Sequence, residues 1–130
     1  MENITPLIPA GRQVIEAYGP GRFRISGEVH SASVIVFPER SVPWTVQNLG
    51  EVTLARLDAV TAAEPRPELL LLGAGLTMQM PPAGLRAALR SAGMGFEIMD
   101  TGAACRTYNV LLSEGRRVAA ALIVLPSQRP

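Results

Sequence analysis

The chain contains no lysine, and all 12 of its basic residues are arginine. Without lysine there is no side-chain amine that can form a Schiff base with a carbonyl substrate. A phosphate-binding loop that depends on a lysine is excluded for the same reason. Because arginine stays protonated at any working pH, the basic groups of this protein can bind and orient anions but cannot exchange protons.

Cysteine and histidine are almost as scarce, since Cys105 and His30 are the only residues of their types. No internal disulfide can form, which favours a reducing compartment. One thiol and one imidazole cannot complete a usual zinc site, and no G-x-S-x-G nucleophile turn is present. Cys105 lies near the apolar side of its predicted helix, which favours a buried structural role. The sequence therefore predicts no catalytic residue, no metal and no cofactor, and it favours binding over catalysis.

An excess of charge is also lacking, because the formal net charge is only +1. This argues against a nucleic-acid-binding protein, which needs positive charge to meet a phosphate backbone. The longest apolar stretch, residues 118–125, is far too short to span a bilayer. The N-terminus shows no secretion or import signal, so we expect a cytoplasmic protein without direct membrane insertion. A length of 130 residues fits one domain, residues 1–130.

The first third of the chain has the pattern of β-strands. Residues 13–25 predict a hairpin about the Gly-Pro-Gly turn at 19–21. Residues 33–37 form a continuous apolar run that ends at a proline, as in a strand buried on both faces. Pro43 and Trp44 are placed in the loop after this strand. We interpret Trp44 as a hydrophobic plug over the edge of the core rather than a platform for a ligand.

Helix and strand patterns alternate in the remainder of the chain. Such alternation is typical of βαβ units around a mostly parallel sheet, to which the hairpin would add antiparallel strands. This pattern predicts the α/β fold class. The predicted helices cover residues 52–63, the segment from Pro81-Pro82 to Gly93, and residues 101–113; the predicted strands cover residues 68–73, the segment around Phe96 and Ile98, and residues 118–125.

Two loops follow strands of the predicted parallel sheet, where open α/β sheets bind their ligands. The first contains Gly73 and Gly75, and the second covers residues 100–102. If the two strands are neighbours, both loops line one crevice. The first loop begins like a dinucleotide-binding fingerprint, but Met78 stands where the third glycine is required. The two glycines therefore favour a tight exit from the strand.

The helix predicted over residues 101–113 carries the most informative pattern. On a wheel of about 100° per residue, its apolar face docks on the sheet and a polar stripe is open to a cleft or a partner. Thr101 is placed as the N-cap, and Arg106 one turn later would add a bidentate clamp for an anion at the helix N-terminus. Two alternatives stay open: Asp100 caps the helix itself, and Arg106 pairs with a glutamate on an exposed face. The apolar face comprises Ala104, Tyr108, Leu111 and Leu112, and the polar stripe comprises Gly102, Arg106, Asn109 and Ser113.

The same helix carries a family resemblance. The run MDTGAACRTYNVL at residues 99–111, with GRRVAAAL at 115–122, resembles the signature end of a family of small α/β domains. That family includes mitochondrial respiratory complex I assembly factor 3 and many uncharacterised bacterial and archaeal proteins. The resemblance extends upstream through residues 69–75, Pro81-Pro82, residues 93–97 and Pro43-Trp44, and so covers nearly the whole chain.

This resemblance implies a three-layer α/β fold around a mixed sheet. It implies an assembly function exerted through protein partners, such as subunits of a membrane respiratory complex, with no established enzymatic activity. Asp100, Thr101, Arg106 and Asn109 occupy the family's most recognisable motif, which has no settled role. The chain lacks the import segment of the mitochondrial member, and we expect a bacterial protein that works in the cytoplasm.

Three functional hypotheses follow. In the first, the protein is a non-catalytic factor that assists assembly of respiratory complex I. In the second, it binds a small molecule or an anion, or acts on one as an enzyme, in the crevice lined by Gly73, Gly75, Thr101 and Arg106. In the third, it is a structural homo-oligomer. A well-formed pocket that holds an ordered anion would favour the second hypothesis, and a flat apolar surface patch would favour the first.

Overall fold

The structure, a computed structural model, describes residues 2–3 and 10–127. Its first four strands form an antiparallel sheet in chain order, which we call the meander sheet. Gly21, in the turn between the second and third strands, has a φ of +73°, which is easy for glycine and rare for other residues. The predicted hairpin is confirmed. The strands are β1 (Glu2–Asn3), β2 (Ile15–Gly19), β3 (Arg22–Ile25) and β4 (Glu28–His30).

The other five strands form a mixed central sheet, as expected. They are β5 (Val34–Val36), β6 (Ser41–Pro43), β7 (Leu69–Gly73), β8 (Gly95–Met99) and β9 (Val118–Leu122), in the order β6-β5-β9-β7-β8. β7 runs parallel to both β8 and β9, whereas β5 runs antiparallel to β9 and β6. The expectation that the hairpin joins this sheet is wrong, because β6 occupies the edge beside β5. Pro43 is accordingly the last residue of β6 and not a loop residue.

The helices are α1 (Asp58–Thr61), α2 (Leu85–Ser91) and α3 (Thr101–Ser113). Only α3 has the predicted bounds. In place of a helix over 52–63 there is a 3-10 turn at Ala55–Leu57 and the short α1. The carbonyl of Arg56 accepts a hydrogen bond from the indole Nε1 of Trp44 at 2.8 Å, which occupies an acceptor that a continuous helix would use internally.

The start of α2 also differs from the prediction. α2 begins at Leu85, three residues beyond the two prolines, because Gly84 before it has a φ of +83° and interrupts helical geometry. Its end agrees with the prediction, since Gly93 lies just beyond the helix with a φ of +80°.

β7 shows how the central sheet is covered on both faces. Leu70 and Leu72 face a core formed with α1, α2 and Trp44, whereas Leu71 faces a core formed with α3 and the meander sheet. All three leucines are at most 1% exposed. The central sheet therefore has α1 and α2 on one face and α3 on the other, which confirms the three-layer α/β arrangement, and the meander sheet covers the far side of α3. The plug interpretation of Trp44 agrees with its place in the first core.

Among the described residues, no helix combines the length and the apolar character needed to cross a bilayer.

Candidate functional site

The loop after β7 and the start of α3 meet, because β7 and β8 are neighbouring parallel strands. The backbone N–H of Gly75 donates to Oγ1 of Thr101 at 2.9 Å, and the N–H of Thr101 donates to the carbonyl of Gly75 at 2.9 Å. A Cβ atom added to Gly73 would lie 3.0 Å from Cα of Thr101. The two loops are thus adjacent as predicted, but hydrogen bonds and close packing fill the space between them, where the predicted crevice would lie.

Asp100, and not Thr101, is the N-cap of α3. Oδ1 of Asp100 accepts a hydrogen bond from the N–H of Ala103 at 2.9 Å, and its backbone is extended with ψ of 159°. The hydroxyl of Thr101 instead donates to the carbonyl of Ile123, just after β9, at 2.7 Å. The placement of Thr101 as the cap is wrong, and the alternative in which Asp100 caps the helix is right. Thr101 ties together the chain segments that follow β7, β8 and β9.

Thr101→Val is expected to lower the free energy of unfolding by about 2–4 kcal/mol, because it leaves the N–H of Gly75 and the carbonyl of Ile123 without this partner in a buried place. Thr101→Ser keeps the hydroxyl and removes one methyl, so its cost is expected near 1 kcal/mol. Urea unfolding of the three proteins measures both values. Equal losses in the two variants would show that the hydroxyl does not stabilise this junction.

The polar stripe of α3 is half covered by β2. Asn109 is 3% exposed; its Oδ1 accepts from the N–H of Ile15 at 3.1 Å and its Nδ2 donates to the carbonyl of Ile15 at 2.8 Å. Its amide therefore binds β2 much as a neighbouring strand would. A Cβ atom on Gly102 would lie 2.8 Å from Oη of Tyr18. The prediction that the whole stripe is open is wrong for Gly102 and Asn109, since a helical wheel cannot show that a second sheet covers this face.

Arg106 is the exposed member of the family motif on α3. Its guanidinium donates to Oη of Tyr18, and its Cζ lies 5.9 Å from the centre of the Tyr18 ring. The alternative in which Arg106 pairs with a glutamate is replaced by this contact with a tyrosine. Whether Arg106 binds an anion or a partner stays a prediction.

Two titratable side chains of α3 face the interior. Cys105 and Tyr108 are both 0% exposed, which confirms the buried structural reading of the cysteine. Burial raises the pKa of the Cys105 thiol far above its ordinary value, with a smaller opposing effect from Arg106. Burial likewise raises the pKa of Tyr108, whose hydroxyl donates to the carbonyl of Gln13 at 2.9 Å. Neither group supplies a thiolate or phenolate at neutral pH.

The loop that follows β7 lines part of a cavity of about 400 Å³. Gly75, Leu76 and Thr77 contribute to it together with residues 47–50 and with Ile123, Val124 and Pro126. Asp100, Thr101, Arg106 and Asn109 are not among the described residues that line it. In the described part of the chain, no three His, Cys, Asp or Glu side chains approach closely enough to hold a metal ion.

The loop at residues 76–80, which we call the 76–80 loop, presents a surface that the sequence reading did not select. Leu76, Met78 and Met80 are 69%, 64% and 82% exposed. They account for three of the six exposed large hydrophobic side chains in the described residues. A signal was available in the sequence, because residues 69–85 contain no charged side chain. The sequence analysis predicted a strand and a helix start within that stretch and predicted no role for the apolar loop between them.

Fold and site together define a three-layer α/β domain. The loops at the carboxyl ends of β7 and β8 are packed closely together, and an exposed apolar loop lies next to them in the chain. The sequence profile of the family described as "Protein of unknown function (DUF498/DUF598)" matches residues 15–123. The chain belongs to this family. The matched residues include the whole central sheet and α3.

Its relatives include assembly factors of respiratory complex I. The chain is 34% identical to NADH dehydrogenase (ubiquinone) 1 alpha subcomplex assembly factor 3 of Danio rerio, over 88% of this chain and 66% of that protein. It is 44% identical to an uncharacterized protein of Rhodobacter capsulatus, over 93% of this chain and 92% of the relative. The crystal structure of a protein from Bordetella parapertussis matches with a TM-score of 0.79 and 36% identity, over 88% of this chain and 98% of that one. The resemblance inferred from residues 99–122 is confirmed.

Proposed function

We propose that this protein is a non-catalytic binding factor that assists assembly of respiratory complex I, with residues 1–130 acting as one domain. The observation that carries the proposal is its 34% identity with a complex I assembly factor over 88% of the chain. About a third of that relative lies outside the match, so the proposed function rests on contacts that this α/β domain itself can make.

The 76–80 loop is the surface that we assign to the partner. Methionine side chains are flexible and polarizable, and they adapt to apolar partner surfaces of different shapes. An exposed apolar patch on a folded domain is typical of a protein-interaction site. Gln79 strengthens the loop from within, because its Nε2 donates to the carbonyl of Ala74 at 3.2 Å.

The residues predicted as a binding site then act mainly as supports for this loop. Gly73 allows the close approach of β7 to α3, and the paired hydrogen bonds between Gly75 and Thr101 hold the base of the loop. Asp100 caps the helix that carries Thr101. Arg106, at the exposed side of the same helix, is the motif residue that we propose as a peripheral partner contact.

The test is the level of assembled complex I in a strain that lacks this gene. We expect a selective loss of the complex on a native gel stained for NADH dehydrogenase activity, and restoration by the wild-type gene. Other membrane complexes on the same gel serve as the control. An unchanged level of complex I in the deletion strain would contradict the proposal.

A further inference from the structure

A second and larger cavity lies where the two sheets join. It has a volume of about 670 Å³ and is lined by residues 31–33, which connect β4 to β5, by Pro43 at the end of β6 and the two residues after it, and by the chain that follows β9. Gly21, at the tip of the hairpin, completes one wall. The 76–80 loop does not contribute to this cavity, which we call the junction cavity.

Hydrogen bonds fix the walls of the junction cavity. Oγ of Ser33, a residue that is 3% exposed, accepts from the N–H of Val124 at 3.0 Å, and the carbonyl of Ser33 accepts from the N–H of Trp44 at 3.0 Å. The N–H of Gly21 donates to the carbonyl of Leu125 at 2.9 Å. The indole of Trp44 is held in turn by Arg56. The cavity is therefore formed before any ligand arrives, which lowers the entropic cost of binding.

The lining combines apolar surface with uncharged polar groups. Trp44, Val124 and Leu125 supply apolar surface, while Ser31, Thr45 and Gln47 supply hydroxyl and amide groups. Oγ of Ser33 accepts one hydrogen bond and donates to no other group within residues 10–127, so its proton can serve an acceptor on a ligand. None of the described lining residues is charged, although 18% of the chain is Asp, Glu or Arg.

We infer that the junction cavity binds an uncharged, partly apolar small molecule that carries hydrogen-bond acceptors. A charged ligand would lose hydration here without meeting an opposite charge, which is costly. A neutral ligand with an apolar ring would pack on the partly exposed Val124 and Leu125 and satisfy the serine and threonine hydroxyls. Small-molecule sites commonly have this volume and this mixture of apolar walls with a few polar groups. The inference does not depend on the proposed assembly function.

Binding can be measured with two naphthylamine probes that differ in charge. N-phenyl-1-naphthylamine is neutral, and 8-anilino-1-naphthalenesulfonate is its anionic analogue. Because Trp44 is the only tryptophan, energy transfer from tryptophan to a probe has a single donor and reports binding to the protein, and the variants below locate the site. We expect saturable transfer to the neutral probe and an affinity about tenfold weaker for the anionic one.

A matched pair of variants locates the site. Ala32→Arg places a charge in the cavity wall, and Ala87→Arg places the same charge on an exposed position of α2 away from it. Ala32→Arg should weaken the neutral probe about tenfold and strengthen the anionic one, whereas Ala87→Arg should change neither by more than about twofold. Met78→Asp should leave both affinities unchanged, which separates this cavity from the 76–80 loop.

Three results would overturn the inference. They are an absence of energy transfer from Trp44 to the neutral probe, equal affinities for the two probes, and equal effects of the two arginine variants. Thermal unfolding of each variant establishes that the folded protein is being titrated. Loss of complex I rescue by a loop variant, with probe binding intact, would leave the inference standing.

Discussion

Replacing Met78 and Met80 together by aspartate is expected to abolish the rescue of complex I assembly in the deletion strain. Both side chains are more than half exposed, so the variant should change the free energy of unfolding by no more than about 0.5 kcal/mol. At an apolar interface the two carboxylates would be buried without partners, which costs several kcal/mol and weakens binding by more than about 100-fold. The native gel measures the rescue, and urea unfolding measures the stability.

Val29→Asp provides the control for this experiment. Val29 is 56% exposed on β4 of the meander sheet, which carries neither the 76–80 loop nor Arg106, so the substitution places a carboxylate on a different part of the protein. It should rescue complex I assembly as the wild type does. Equal failure of both variants would indicate a general effect of surface carboxylates, and full rescue by the loop variant would exclude the 76–80 loop as the partner surface.

Local sequence patterns correctly predicted those helices and strands whose bounds do not depend on contacts with distant residues. The bounds of β7 and α3 were predicted to within one residue. The ends of β7 are marked by its run of leucines, and the end of α3 is marked by the glycine turn that follows it. The helix expected over 52–63 failed because its conformation depends on a distant residue. Trp44 binds the carbonyl of Arg56, and no periodicity within 52–63 reveals that contact.

The candidate site shows the same division. The meeting of the Gly73–Gly75 segment with Thr101 follows from the rule for parallel strands, and the structure confirms it. The crevice does not follow, because its closure depends on side-chain hydrogen bonds that only the folded geometry reveals. Asn109 was placed on an open face because the wheel locates residues by angle alone. The meander sheet that covers Asn109 is built from residues about 90 positions earlier.

The motif that identifies the family is therefore largely architectural in this chain. Asp100 caps α3, and Asn109 binds β2 through its side-chain amide. Thr101 joins the segments that follow β7, β8 and β9. The exposed apolar residues lie outside the motif, in the 76–80 loop. The motif residue Thr101 thus holds the base of the loop through Gly75, and under the proposed function the loop's own residues set what it contacts.

Stability is expected to fall steeply at alkaline pH because of Cys105 and Tyr108. Burial raises the pKa of both groups in the folded protein, so in the unfolded chain they lose their protons at lower pH, near about 8.5 and 10. Above those values the unfolded state binds fewer protons than the folded state, and the free energy of unfolding decreases as pH rises. Each group contributes about 1.4 kcal/mol per pH unit, so the expected slope above pH 10 is about 2.7 kcal/mol per unit. Below about pH 8 neither group contributes a slope.

The absence of lysine makes this measurement unusually direct, since no lysine amine titrates in the same range. Urea unfolding at pH values from about 7 to 11 gives the slope, and Cys105→Ala and Tyr108→Phe should each remove about half of it. Each variant also lowers the stability at neutral pH by a constant amount, through a lost sulfur contact or the lost hydrogen bond to Gln13. The test is therefore the slope of the free energy of unfolding against pH, and not its value at neutral pH. A wild-type curve that stays flat up to pH 11 would show that α3 opens to solvent far more readily than its packing between the two sheets implies.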